Sequence, residues 1–144
     1  MIVDAFTFLN EKELIELRIK YLNDMVDYFL IVEADVTHTG KEKKWNFPEI
    51  LNNNLKEFSH KIQYHQMKVD LQKAEKEKSS NYKGGTWGRS WKVESMQRNF
   101  IKEACKKFSP SDIIIISDLD EIPSKNKLSF IKSCDFRVIA PVTF

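Results

Sequence analysis

The fold of this chain is decided by the stretch Ile113-Ile114-Ile115-Ile116-Ser117-Asp118-Leu119-Asp120-Glu121-Ile122-Pro123. Its four isoleucines form an unbroken β-branched run, which predicts a strand buried on both faces, as in parallel sheets covered by helices. In open α/β sheets, ligands bind just beyond the carboxyl ends of the strands. The acidic side chains after the run are therefore predicted to lie where a ligand or a metal binds, and hard oxygen ligands of this kind suit Mg²⁺ or Mn²⁺.

The rest of the chain alternates between strand and helix patterns. We expect strands at 2–8, 28–32, 62–67 and 136–142, and helices at 48–58, 93–108 and 128–131. The spacing of Asn10 and Glu13 predicts a capping box at the start of another helix. Its buried face is predicted to consist of Leu14, Leu17, Tyr21, Leu22 and Met25. Charge runs followed by serines and glycines predict a mobile loop at 73–90.

This alternation predicts an α/β fold, a three-layer sandwich around a mostly parallel sheet. With 144 residues, of which 42% are hydrophobic, the chain can form the core of one domain, 1–144. Its 23 basic and 21 acidic residues are well mixed, so no stripe predicts binding to nucleic acid. No apolar stretch approaches the roughly 20 residues of a membrane span. Asp4 stands where a signal peptide would be basic, so we expect a cytoplasmic protein.

An Asp-x-Asp pair after a buried strand fits two chemistries. In the first, Asp118 and Asp120 hold a divalent ion that bridges the two phosphates of a nucleotide-sugar. In the second, Asp118 is the nucleophile and Asp120 the general acid of a haloacid-dehalogenase-like phosphatase. That phosphatase motif usually opens its domain, whereas here it comes near the end of the sequence. A third interpretation is that both are merely polar residues that close a strand.

Five blocks of the sequence, in order, resemble glycosyltransferase family 17. They are DAFTFLNE at 4–11, VDYFLIVEA at 26–34, THTG at 37–40, Glu94 with Gln97-Arg98-Asn99, and SDLDEIP at 117–123. The resemblance runs from residue 2 to about residue 142. It implies a GT-A (Rossmann-like) fold and a metal-dependent, inverting glycosyltransferase that uses Mn²⁺ or Mg²⁺. It also implies a glycan acceptor and a UDP-sugar donor, which is UDP-GlcNAc in the characterised branch of the family.

The resemblance gives roles to the acidic residues of the 117–123 block. Asp120 is the expected metal ligand, and Asp118 is expected to contact the metal or the ribose. Inverting transfer needs a base that accepts the proton of the acceptor hydroxyl, and Glu121 is the candidate. Its alternatives are a contact to the groups that hold the metal or a charge at the N-terminus of the next helix.

Further residues are expected to contact the donor. Glu33 and Asp35 end a strand at the same edge and would meet the nucleoside, or else face solvent. The guanidinium of Arg98 can grip a phosphate in two places, or can form an ordinary i, i+4 pair with Glu94. Thr39 lines the donor pocket by resemblance, although its local sequence predicts only a turn.

Family members of this kind continue well past the last predicted strand, whereas this chain ends at Phe144. We therefore expect the donor-binding part alone, which would form a homodimer or bind a completing partner chain. The alternative function is a non-catalytic or partner-completed nucleotide-sugar-binding module, with the phosphatase as a third.

Overall fold

The computed structural model describes residues 1–70 and 87–134. Its elements in chain order are β1 (Ile2–Phe8), α1 (Lys12–Leu22), β2 (Tyr28–Ala34), α2 (Phe47–Asn54), a 3₁₀ helix (Lys56–Lys61), β3 (Ile62–Met67), α3 (Trp87–Cys105), β4 (Ile113–Ile116) and α4 (Lys125–Ser133). The predicted alternation of strands and helices is confirmed, while the strand expected at 136–142 lies outside the described residues. No helix in the described part of the chain has the length and apolar character that crossing a membrane requires.

The four strands form one parallel sheet in the order β3-β2-β1-β4. Successive side chains of β1 point to opposite faces of the sheet. Those of Ile2 and Phe6 point to one face, and those of Val3 and Ala5 point to the other. The first face packs against α1, α2 and α4, and the second against α3. The prediction of a Rossmann-like three-layer α/β fold is confirmed.

The strand order reverses beside β1. From β1 the chain moves outward through β2 and β3, then returns to pair β4 with the other edge of β1. This pairing ends where Ile116 lies opposite Ala5. Open α/β sheets bind ligands outside the carboxyl ends of the strands at such a switch point. The stretch that follows β4 therefore begins at the position where a ligand is expected.

The prediction that the isoleucine strand is buried on both faces is wrong. Ile113, Ile114 and Ile115 are only partly buried, and Ile116 is 46% exposed. The reason is position, since β4 is the outermost strand among the described residues and lacks a second neighbour there.

The predicted buried face of the first helix is confirmed for Leu22, which is buried, and for Leu14 and Met25, which pack against the core, but it is wrong for Leu17 and Tyr21. Leu17 is 57% and Tyr21 is 41% exposed. The side chains that face the sheet are those of Ile15, Arg18, Ile19 and Leu22. This stripe also has helical spacing, but it includes a charged side chain, Arg18, which an apolar pattern places outside.

The capping box predicted from Asn10 and Glu13 is also wrong. Helix α1 starts after Glu11, and no side chain caps its N-terminus. Instead, the Glu11 carboxylate accepts hydrogen bonds from the backbone N–H groups of Leu9, at 3.2 Å, and Asn10, at 2.9 Å. The acid therefore stabilises the turn before the helix.

The loop predicted at 73–90 is partly wrong, because α3 already begins at Trp87. Residues 73–86 lie outside the described part of the chain. The amphipathic pattern predicted for the helix itself is confirmed: Val93, Gln97 and Ile101 are buried and pack towards the sheet.

Glu33 ties three elements together. Its side chain is fully buried in β2, and its carboxylate accepts from the backbone N–H groups of Asn46, at 2.8 Å, and Phe47, at 3.2 Å, where α2 begins. The hydroxyl of Tyr64 on β3 donates to it at 2.6 Å, and Lys43 forms an ion pair with it. A helix N-terminus favours a negative charge, so this carboxylate fixes α2 against the sheet.

The contact between Tyr64 and Glu33 yields a stability prediction. Replacing Tyr64 by Phe removes a donor to a buried charge, so we expect the free energy of unfolding to fall by about 1.5 kcal/mol. Urea denaturation at neutral pH measures this change. Tyr28→Phe is the matched control, because in the described structure the Tyr28 hydroxyl makes no hydrogen bond. Equal stability of the two variants would contradict the assigned role.

The stability of Tyr64→Phe is also expected to depend on pH differently from that of wild type. Burial, and then the hydrogen bond to Glu33, raise the pKa of Tyr64 above its ordinary value. A raised folded-state pKa gives stability that is complete below the unfolded value of about 10 and is lost as the pH rises above it. Wild type should therefore lose more stability than Tyr64→Phe between about pH 10 and pH 12. If the stabilities of the two proteins fell in parallel as the pH rises, this prediction would be contradicted.

Candidate functional site

The residues after β4 form a tight turn whose successive side chains point alternately to solvent and to the core. The N–H of Glu121 donates to the carbonyl of Asp118, and that of Ile122 to the carbonyl of Asp120, both at 3.0 Å. Leu119 is buried in the core beneath the turn. The side chain of Asp118 is 51% exposed, and Asp120 is exposed. The turn therefore presents two carboxylates outward beside the switch point of the sheet.

A buried ion pair lies beneath this turn, and the sequence analysis missed it. Arg18 of α1 and Asp4 of β1 are both fully buried. The Nε of Arg18 donates to Oδ2 of Asp4 at 2.9 Å, and Nη2 donates to Oδ1 at 2.7 Å. The guanidinium also lies 4.6 Å from the ring centroid of Phe6. The signal that could have found the pair is a lone acid within the apolar strand β1, followed by a lone base among the apolar side chains of α1.

The remaining donors of Arg18 bind the turn itself. Nη2 donates to the Ser117 hydroxyl at 2.7 Å, and Nη1 donates to the carbonyl of Asp118 at 2.6 Å and of Leu119 at 3.0 Å. A longer contact of 3.4 Å reaches the carbonyl of Glu121. One side chain thus connects β1, α1 and the backbone of the acidic turn.

Arg98 of α3 is next to the exposed carboxylates. Its Nη2 lies 2.6 Å from Oδ1 of Asp118, and it also pairs with Glu94 one turn earlier, at 2.9 Å. The helix pair considered from the sequence is therefore present, and a contact with Asp118 accompanies it. With the Arg98 side chain 44% exposed, the guanidinium can be reached by a ligand at the turn.

The carboxylate of Glu121 faces its own turn. Its Oε2 accepts from the backbone N–H of Asp118 at 3.0 Å. It does not cap the following helix α4, where the Ser124 hydroxyl accepts from the N–H of Lys127 at 3.3 Å. Glu121 therefore makes no capping hydrogen bond to α4, and its roles as a charge near that helix N-terminus or as a base stay predictions.

The other predicted donor residues lie at the end of β2, as Glu33 does, or in the segment after it. Asp35 accepts from the N–H of Val69 at 2.9 Å. Thr39 is exposed on a tight turn that needs Gly40, whose φ is 81°. Since β1 separates β2 from β4, the two strands that lead to these residues and to the acidic turn are two strand spacings, roughly 10 Å, apart. No direct contact joins Glu33, Asp35 or Thr39 to Asp118 in the described structure.

The acidic turn fits one kind of metal site. Among the described residues, no group of three or more His, Cys, Asp or Glu side chains could hold a metal ion. Mg²⁺ and similar ions are usually held by one or two carboxylates together with substrate phosphates and water. Asp118 and Asp120 therefore fit an ion that is shared with a phosphate ligand, and they do not fit an ion held by protein side chains alone.

Comparison with known proteins agrees with the resemblance noted in the sequence. The chain is 27% identical over 139 residues to β-1,4-mannosyl-glycoprotein 4-β-N-acetylglucosaminyltransferase from Rattus norvegicus, Homo sapiens and Mus musculus. The match covers 93% of this chain but only 24% of each relative. No solved structure matches the chain.

The family comparison covers almost the whole sequence. The family model described as glycosyltransferase family 17 matches residues 1–140, which includes the acidic turn, Arg98 and the strands that position them. The chain belongs to glycosyltransferase family 17.

Proposed function

We propose that this chain binds a complex of a divalent metal and a UDP-sugar at the carboxyl edge of its sheet, for transfer of the sugar to a glycan. The observation that carries the proposal is the pair of outward carboxylates, Asp118 and Asp120, at the switch point of a parallel sheet. The names of the mammalian relatives support N-acetylglucosamine as the sugar and a mannose-bearing glycan as the acceptor.

The two aspartates would have different parts in this site. Asp120 is the proposed main metal ligand, because no hydrogen bond or ion pair holds its carboxylate among the described residues. Asp118 would contact the metal or the ribose with the oxygen that Arg98 leaves free. A bound Mn²⁺ or Mg²⁺ would neutralise the charge of the diphosphate as it leaves.

Arg98 is the proposed diphosphate contact. A guanidinium forms paired hydrogen bonds to phosphate oxygens, and that of Arg98 is within reach of the turn. When the donor binds, Arg98 would exchange its contact with Asp118 for one with the diphosphate, which frees the aspartate for the metal. The nucleoside would extend towards the end of β2, to Asp35 and Thr39, with Glu33 holding α2 in place beneath them.

A second function, a nucleotide-sugar-binding module completed by a partner chain, is favoured by the position of Glu121. One of its carboxylate oxygens, Oε2, is turned back to accept from the backbone N–H of Asp118, and in this function a partner chain would supply the base. Assays of UDP-GlcNAc hydrolysis and of transfer to mannose-bearing glycans by the purified chain distinguish the two functions. Transfer that is lost in Glu121→Gln favours the enzyme, and donor binding without turnover favours the module.

Replacing Asp120 by Ala tests the metal site. We expect UDP to bind wild type in Mn²⁺ and to bind at least about tenfold more weakly, a loss of about 1.4 kcal/mol, after EDTA or in Asp120→Ala. Mn²⁺ alone should bind weakly, because the ion needs the phosphates as ligands. Calorimetry measures each affinity. Glu57→Ala removes an equally exposed acid elsewhere and should have no effect, and equal UDP binding in all conditions would refute the metal bridge.

Replacing Arg98 by Gln tests the diphosphate contact. If the guanidinium binds the diphosphate, UDP should bind about tenfold more weakly in Mn²⁺, whereas uridine should bind as it does to wild type. If Arg98 only neutralises Asp118, its loss should instead strengthen binding of Mn²⁺ and UDP. Glu94→Gln is the matched control, because it removes the helix pair and keeps the guanidinium. Unchanged or tighter UDP binding by Arg98→Gln would rule out the proposed contact.

A further inference from the structure

Arg18 occupies a position that an apolar residue would normally fill. It lies on the inward stripe of α1 between Ile15 and Leu22, and none of its side chain is exposed. Burying a charge pair has a large desolvation cost, and well-packed apolar residues often stabilise a core as well or better. Core stability alone therefore does not account for an arginine here.

The hydrogen bonds of Arg18 show what it does in place of packing. Asp4, fixed within β1, accepts from Nε and Nη2 and so sets the plane of the guanidinium. The donors that Asp4 leaves unused point at the start of the acidic turn, to the Ser117 hydroxyl and the carbonyls of Asp118 and Leu119. Arg18 therefore fixes the position of the turn relative to β1, an inner strand of the sheet.

We propose that Arg18 is a positioning residue, which sets the direction of the Asp118 and Asp120 carboxylates and thereby the affinity of the site for its ligand. The inference rests on the proposed function, because the ligand is the complex of metal and UDP. Arg18 reaches none of the ligand itself. It acts through three backbone positions and a hydroxyl that fix the turn from below.

The shape of the side chain is essential to this role. A guanidinium has five N–H donors in a flat fork, so it can bind Asp4 and the turn together. The ammonium of lysine carries the same charge on a single atom. In Arg18→Lys it can neutralise Asp4, but it cannot span the distance to Ser117, Asp118 and Leu119 at the same time. This variant therefore separates charge balance from positioning.

The experiment compares Arg18→Lys with Ile19→Ala, a change at a fully buried neighbour on the same helix whose side chain makes no hydrogen bond to the turn. Three quantities are measured on the full chain: the melting temperature, UDP affinity in Mn²⁺, and hydrogen exchange at the N–H groups of Glu121 and Ile122, which close the turn. Both variants should melt at lower temperature. Only Arg18→Lys should speed exchange at these two groups, by about tenfold, and weaken UDP binding by about tenfold.

The outcomes separate the role of Arg18 from the proposed function. Unchanged exchange and affinity in Arg18→Lys would overturn the proposal, as would equal losses of affinity in both variants. If wild type does not bind UDP, the proposed function fails, while hydrogen exchange still tests positioning. If Arg18→Lys does not fold, Ser117→Ala removes the hydroxyl that accepts from Arg18 and donates to the carbonyl of Glu121 at 3.3 Å, and it keeps the pair with Asp4. It should also speed exchange at Glu121 and Ile122, and unchanged exchange would overturn the proposal.

Discussion

The pairing of Arg18 with Asp4 is the interaction on which the rest of the structure depends. Removing either partner would leave an uncompensated charge in the core, which typically costs 3–5 kcal/mol or about a third of a small domain's stability. The pair joins the central strand to the first helix, and through backbone carbonyls it also joins both to the turn after the fourth strand. The order of the sheet brings these segments together, since the first and fourth strands are neighbours although more than a hundred residues separate them in sequence.

Two carboxylates near the same edge of the sheet differ in role, because one stabilises the fold and the other is open to a ligand. Glu33 is fully buried, and two backbone N–H groups, a hydroxyl and an ammonium occupy its oxygens. Asp120 is exposed, and nothing in the described structure holds its carboxylate. Both residues follow or end a hydrophobic strand in the sequence, so sequence position alone makes them equivalent. Burial and the number of donors separate them, and only Asp120 has free oxygens for an incoming ligand.

Much of the fold could be predicted because strand patterns are local. The bounds of the first, third and fourth strands agree with the predicted ones, and the third helix follows its apolar stripe. The first helix was misread because it carries two apolar stripes, and the deciding one includes an arginine, which an apolar pattern places outside. Arg18 is held in the interior by Asp4, which lies on another element. This contact depends on the tertiary structure and cannot be read from a helical pattern. For the same reason the sequence located the carboxylates of the site but not the side chain that supports them.

The support beneath the acidic turn has a consequence for how such a site can change over evolution. Within the turn, Arg18 binds mainly carbonyl oxygens, which every amino acid supplies regardless of its side chain. The path of the backbone therefore depends little on which side chains point outward from the turn. If the proposed ligand binds there, substitution at position 118 or 120 would change the groups that meet it while the turn keeps its shape. Ligand preference could then change by single mutations without loss of the fold.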